Sequence, residues 1–275
     1  MSVLTIDSGS EMMDGGAASP NETWDVDRLG PCRRPVGQSI GYQVWTDLLF
    51  AHWRVPVELL RPLIPCELEI DTFEGDAWLG VVPFHMSGVR PRWFPAMPCV
   101  SEFHETNVRT YVHFKGRDPG VWFLSLDAAG RIAVEVARWK WHLSYFYAEM
   151  DLRREGDEVR YFSRRVDHRS PRRADVDIQA RIGKPLNSEP GAGAEPGTLE
   201  HFLAERYLLY ANDHRGQLLR GRVHHSPYPL RSAEIVSCRQ TLASAAEVPV
   251  SGQPDHVAFS EGVTVDIFPL RRLSL

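Results

Sequence analysis

Cysteine is scarce in this chain of 275 residues, and the four present (Cys32, Cys66, Cys99 and Cys238) form no CxxC pair and no Cys/His ligand spacing. That excludes a disulfide framework or a thiolate metal site and reads as free thiols in a reducing compartment. A chain of this length, as one domain, buries roughly 75% of the surface its unfolded form exposes, so neither device is needed for stability. No stretch approaches the roughly 18 apolar residues of a membrane span. The opening MSVLTIDSGSEMMDGG lacks a basic segment followed by an apolar one, which argues against a signal peptide. A cytoplasmic protein is the expectation, with no membrane partner. A strong excess of one charge is missing too: the net charge is -5, so the chain as a whole does not attract nucleic acid. There is no HExxH motif, no GxSxG elbow and no Gly-rich phosphate loop after a strand, and the eleven histidines show no paired ligand spacing. The reading therefore carries no metal and no cofactor.

What is present is a strand with two unlike faces. In Glu105-Thr-Asn107-Val-Arg109-Thr-Tyr111-Val-His113-Phe, alternate residues fall on opposite sides of a pleated chain. Thr106, Val108, Thr110, Val112 and Phe114 make a face that a core would take. Glu105, Asn107, Arg109, Tyr111 and His113 make a row of hydrogen-bonding groups. Such a row is either wetted surface, a set of mutually paired charges, or the wall of a polar cavity fit for a small anion or carbonyl compound.

Turn signals recur about every ten residues and most segments between them are strand-like. Strands are predicted at 42–50, 67–73, 76–86, 103–114 and 121–127. Further strands are predicted at 146–152, 159–166, 174–182, 218–225, 233–237 and 264–270. The Glu155-Gly-Asp turn makes 146–152 and 159–166 a hairpin. Short helices are predicted at 56–63, where Leu59, Leu60 and Leu63 share a side, at 131–142, and at 199–206 behind an N-cap at Thr198. In the second helix Ile132, Val136, Trp139 and Leu143 fall at helical spacing and predict its inward face. Trp45, Trp53, Trp78, Trp139 and Trp141 lie in apolar segments and read as core. Residues 1–35, rich in Gly, Ser, Asp and Pro, read as a mobile leader, and 36–275 as a single domain. Many short, mainly antiparallel strands with few helices give a β-rich α+β class, a barrel or sandwich.

The segments HWRVPVELLRPLIPCELEIDTFEGDAWLGVVPF, ETNVRTYV, GVWFLSLDA and ARWKWHLSYFYAEM resemble the YqjF-like family, a domain family of unknown function, over roughly residues 40–240. That family is similar in fold to acetoacetate decarboxylase, and the resemblance is clearest at 53–71 and 133–148. It implies an acetoacetate decarboxylase-like barrel or sandwich with an internal cavity. The decarboxylases set an Arg-Glu pair at a helix end and a Pro-Lys seven residues after that Arg, and the lysine forms an imine with the keto acid. Here Arg138 matches the Arg, but Trp139 stands at the Glu position, Ser144 at the Pro and Tyr145, followed by Phe146, at the Lys. One acid of the decarboxylase site matches Glu105. The resemblance thus implies an inherited cavity without the imine chemistry, and Lys140, on the helix, is a poor substitute at its register.

The candidate site follows from the strand and the resemblance together. Glu105 is the acid or base, and Arg109 is the bidentate anchor for a carboxylate. Tyr145, like Tyr147, is either an amphipathic wall residue or, at the lysine position, a hydroxyl that donates to a developing enolate. Asn107, Tyr111 and Arg138 are further binding groups, and His142 is either a helix-end histidine or a proton shuttle. Asp127 reads as a turn former or helix cap. The leading function is an enzyme transforming a small keto acid or related carboxylate by acid/base chemistry of lyase or isomerase type. A non-catalytic small-molecule binding protein is the rival. An interaction module using the basic run at 164–173 is a third reading, against a plain solvated strand end. A homo-oligomer is left open.

Overall fold

The computed structural model describes residues 26–93, 95, 101–189 and 192–273. The chain runs through β1 (Gly41–Val55), the one-turn helix α1 (Val57–Leu60), the short β2 (Glu69–Ile70) and the long β3 (Ala77–Pro91). Next come β4 (Phe103–Phe114), β5 (Arg117–Ala128), α2 (Arg131–Trp141), β6 (Tyr145–Glu155), β7 (Glu158–Arg165) and β8 (Asp175–Pro185). It continues with α3 (Leu199–Ala204), β9 (Leu208–Asn212), β10 (Leu218–His224), β11 (Leu230–Gln240), α4 (Leu242–Ala245) and β12 (His256–Arg272).

The strands hydrogen-bond in the order β10-β9-β5-β6-β7-β8-β11-β12-β1-β3-β4-β2, with additional ladders β4–β5 and β10–β12. Following the bonds from β5 through β6, β7, β8, β11, β12, β1, β3 and β4 therefore leads back to β5. A second path, through β9, β10, β12, β1, β3 and β4, returns to the same strand. All pairs are antiparallel except β5–β6 and β5–β9. A parallel pair needs a crossover, and α2 supplies the one between β5 and β6.

Both faces of β3 over its first eight residues and of β4 from Glu105 onward are consequently buried. Val108, Val112 and Phe114 of β4 join Leu79 and Val81 of β3 in a core completed by Val159, Val176, Ile178 and Phe259. Val82, Phe84 and Met86, from the other face of β3, pack instead with Leu48, Val223, Tyr228 and Ile267. The predicted two-faced character of 105–114 thus appears as two interiors, one dry and one carrying the polar row.

Three local expectations are corrected. Of the inward face predicted for α2, only Val136 and Leu143 line the pocket described below; Ile132 is 60% exposed and Trp139 80%, so the helix packs mainly through other residues. It packs through Val134, which is buried, and through Ala133, Ala137 and Trp141 at i, i+4 and i+8, which reach the pocket described below. Alanine gives a weak hydrophobic signal, yet a small side chain lets a helix lie close on a sheet. In α1, Leu60 is buried but Leu59 is exposed, because a helix of one turn leaves adjacent residues on different sides. Asp127 neither caps nor turns: it is fully buried, 2.7 Å from the guanidinium of Arg165.

The basic run is largely neutralised: Arg164 pairs with Asp175, Arg165 with Asp127, Arg169 with Asp167 and Glu135, and Arg172 with Glu247. Of the leader, residues 1–25 lie outside the described residues. Residues 26–35 are placed on the body, where Arg28 donates two bonds to the Asp71 carboxylate at 2.6 and 2.7 Å. No helix among the described residues is long and apolar enough to cross a membrane.

Candidate functional site

Strand register builds the site. Along the β3–β4 ladder the paired residues are Gly80 with Arg109, Val82 with Asn107, Phe84 with Glu105 and Met86 with Phe103. On the other side Asn107 pairs with Leu126 of β5, which pairs in turn with Tyr145 of β6. Alternation sends Glu105, Asn107 and Arg109 the same way, and all three, with Tyr145, line one pocket of about 340 Å³. Its remaining walls are mainly apolar, from Leu48, Val82, Phe84, Phe103, Leu126, Trp141 and Val223, with Ala133 and Ala137 of α2 along one side. Arg90 and Lys140, both exposed, mark the open end.

Glu105 is 3% exposed and accepts a hydrogen bond from the Tyr145 hydroxyl at 2.9 Å. Burial pushes its carboxyl up to about 8, against the partial relief of the Tyr145 bond and with a smaller push from the charge of Asp127. Tyr145 shifts the same way, its hydroxyl held well above the usual range by burial and by Glu105. At neutral pH, Glu105 is thus mostly a neutral acid. Oε2 is held by the tyrosine.

Arg109 is buried at 8% exposure, and no carboxylate of the described residues forms an ion pair with it. Its guanidinium donates to the Leu203 carbonyl at 3.0 Å and stacks between the rings of Phe50 and Tyr111. Among the described residues its Nε has no hydrogen-bond partner, and neither has Oδ1 of Asn107. A buried cation without a counter-ion is costly, and such groups are normally paired. Tyr111 lies behind the cation rather than in the pocket. Its hydroxyl donates to the same Leu203 carbonyl at 2.9 Å and lies 2.6 Å from Nε2 of His52. Room for this layer comes from Gly80, where an added Cβ would sit 2.8 Å from His52 Nε2 and 3.4 Å from Arg109 Cγ.

Four of the seven predicted site residues, Glu105, Asn107, Arg109 and Tyr145, share the pocket, and Tyr111, Arg138 and His142 do not line it. Arg138 donates to the Tyr145 carbonyl at 2.7 Å, so it supports the strand that carries the hydroxyl. His142 ends α2 in the left-handed conformation, φ 55°, and borders a separate surface depression with Trp139 and His214. Lys140 reaches the pocket's rim, closer than its register implied. Sequence reasoning missed Tyr228, which is 3% exposed and lines the pocket near Arg109. It sits between Pro227 and Pro229, outside any periodic segment, so no alternation pointed to it. Among the described residues no group of three or more His, Cys, Asp or Glu could hold a metal ion.

The fold has relatives of known structure. An acetoacetate decarboxylase-like enzyme from Sphingomonas wittichii RW1 superimposes with a TM-score of 0.60 at 12% identity, covering 86% of this chain and 94% of that one. The acetoacetate decarboxylase of Legionella pneumophila gives 0.58 at 13% identity, covering 94% of this chain and 98% of that one. The enduracididine biosynthesis enzyme MppR, complexed with pyruvate, gives 0.56 at 14% identity, covering 87% and 92%. At those identities the likeness is one of fold, and the chain has the strand-rich acetoacetate decarboxylase-like architecture. In sequence it is 38% identical over 240 residues to the uncharacterized protein YqjF of Bacillus subtilis (strain 168), covering 87% of this chain and 95% of that protein. A family model described as "Uncharacterized conserved protein" matches residues 42–264, and the chain belongs to that family, DUF2071.

Proposed function

We propose that this protein binds a keto acid or related carboxylate in the pocket and transforms it by acid/base chemistry through an enolate, without a covalent lysine. The observation that carries the reading is the pairing of opposite needs in one pocket: among the described residues, a buried arginine in no ion pair with an acid, and a buried acid in no ion pair with a cation. Arg109, whose Nε has no hydrogen-bond partner among the described residues, is completed by a ligand carboxylate. Glu105 in its ionised minority takes a proton from the carbon next to the ligand carbonyl. Burial makes that carboxylate a stronger base than it is in water. The C–H electron pair moves into the new C=C bond, and the carbonyl oxygen becomes an enolate that accepts a hydrogen bond from the Tyr145 hydroxyl. The protonated Glu105 then returns the proton, to the same face or to another carbon. That no acid of the described residues pairs with Arg109 also favours this reading over mutually paired charges. The paired arginines of 164–173 leave an interaction module with little unneutralised surface.

The test is solvent-deuterium exchange into the positions beside the carbonyl, followed by NMR over a panel of keto acids from pyruvate to long-chain oxo acids. Wild type should catalyse exchange, and Glu105→Gln should bind without exchanging. Arg109→Leu should weaken carboxylate binding by about 10- to 100-fold, the worth of a charge-assisted bond. Binding without exchange by the wild type would leave a carrier rather than an enzyme. Imine chemistry has its own check. The chain's lysines are Lys115, Lys140 and Lys184, and only Lys140 borders the pocket. Borohydride reduction with acetoacetate should leave the mass unchanged, and an adduct on Lys140 would overturn the mechanism.

A further inference from the structure

We infer that the ligand is an elongated, largely apolar carboxylic acid, an acyl-chain or arylalkyl acid whose head group sits at Arg109 while its body extends past Glu105 toward the mouth. This rests on the carboxylate-binding reading of the pocket and names the class of acid. The two polar stations are far apart. Arg109 and Glu105 are four residues apart on an unbroken stretch of β4, which at about 3.4 Å per residue is roughly 14 Å between backbones. The Arg109 side chain does not shorten that gap. Its guanidinium is drawn the other way, onto the Tyr111 ring and the Leu203 carbonyl. No acid of the described residues approaches it to form an ion pair.

Apart from Asn107 between the stations, the groups along this path are mainly apolar. Phe103, at the mouth side of Glu105, is two residues further, so the lined length of β4 is roughly 20 Å. Val82, Phe84 and Met86 follow it on the paired strand, with Val223 and Ile267 on the facing wall. Buried Arg109 marks the inner end and exposed Arg90 the outer, so the path has a direction. A pocket of about 340 Å³ also falls within the roughly 300–1,000 Å³ that enclose drug-sized ligands, more room than a compact keto acid fills. An acid such as pyruvate could reach one station only. An elongated one reaches Arg109 with its carboxylate and presents a carbon several bonds away to Glu105 and Tyr145.

The experiment is a calorimetric series on the full-length protein with pyruvate, hexanoate, octanoate and decanoate, and with decanol as the chain without the charge. Affinity should rise about fourfold per methylene until the path is filled, and decanol should bind at least tenfold more weakly than decanoate. Phe84→Trp should shorten the optimal chain, a readout that a general loss of folding would not give. Arg109→Lys, with thermal melting as the control for folding, should lower decanoate affinity toward that of decanol. Short acids binding as tightly as decanoate, in an Arg109-dependent way, would overturn the elongated ligand and leave the carboxylate site standing. Chain-length dependence with decanol equal to decanoate would overturn the head-group assignment. Failure of every acid to bind would overturn both.

Discussion

Glu105 carries a proton that its surroundings make hard to remove, and this has a consequence for stability as well as chemistry. Its folded pKa, about 8, lies above the ordinary 4.5, so the native state holds the proton more tightly than the unfolded chain does. Below the ordinary value both states are protonated and nothing is lost. From there to about 8 the unfolded chain alone ionises, and native stability falls as pH rises. Glu105→Gln keeps the shape and removes the titration, so its stability relative to wild type should grow from about pH 5 to about pH 8, read by urea unfolding at each pH. A difference that stays flat across that window would mean Glu105 is ionised in the native protein. Asp127, pushed up to about 6, acts in the same direction but is common to both proteins and largely cancels. Gly80 sets a second test at this scale. Gly80→Ala would drive a methyl into His52 and the Arg109 stem. It should cost about 1–3 kcal/mol in unfolding free energy and weaken carboxylate binding together.

At the scale of elements, β4 and α2 show what a sequence can and cannot reveal. The two faces of β4 were legible because period-two alternation is a direct image of the pleat, and Glu105, Asn107 and Arg109 could be grouped from it alone. Which face is interior was not legible, since both are: an alternating strand normally has one wet side, and pairing on both edges of two interiors removes it. The continuation to Tyr111 failed because the wall turns from pocket to solid packing at Leu203, a contact 92 residues away along the chain. α2 misled in the opposite way, since Ile132 and Trp139 lie outward while its alanines face the pocket. A prediction separates the two kinds of tryptophan. Trp139→Ser, at 80% exposure, should change unfolding free energy by less than about 0.5 kcal/mol. Trp78→Ala, at 1% exposure, should cost about 3–5 kcal/mol. Equal losses at the two positions would mean that α2 packs through its outer face in solution.

Across the whole molecule, one buried carboxylate ties together segments distant in sequence. Asp71 accepts from Arg28, ahead of the first strand, and from Arg206, after α3, at 2.6 to 2.7 Å. The two guanidinium groups hold it below the ordinary carboxylate range despite its burial. Its stabilising contribution is therefore complete above the ordinary value of 3.8 and is lost only as pH falls below it. Asp71→Asn at neutral pH leaves Arg206 buried without an acid and should cost about 3–5 kcal/mol, measured by denaturant unfolding. A loss under about 1 kcal/mol would mean that solvent reaches the arginine. The sharing of β1, β3, β4 and β12 between two interiors reaches further, into how this architecture can change over time. On β4, Phe103, Glu105, Asn107 and Arg109 dress the pocket while Val108, Val112 and Phe114 fill the dry core, so point substitution can redecorate the one while leaving the other intact. Insertion or deletion of a single residue would exchange the two sets, sending charge into oil and oil toward the ligand. Lineages built on this plan are free to drift in ligand preference one residue at a time, and are locked in length along the strands that carry it.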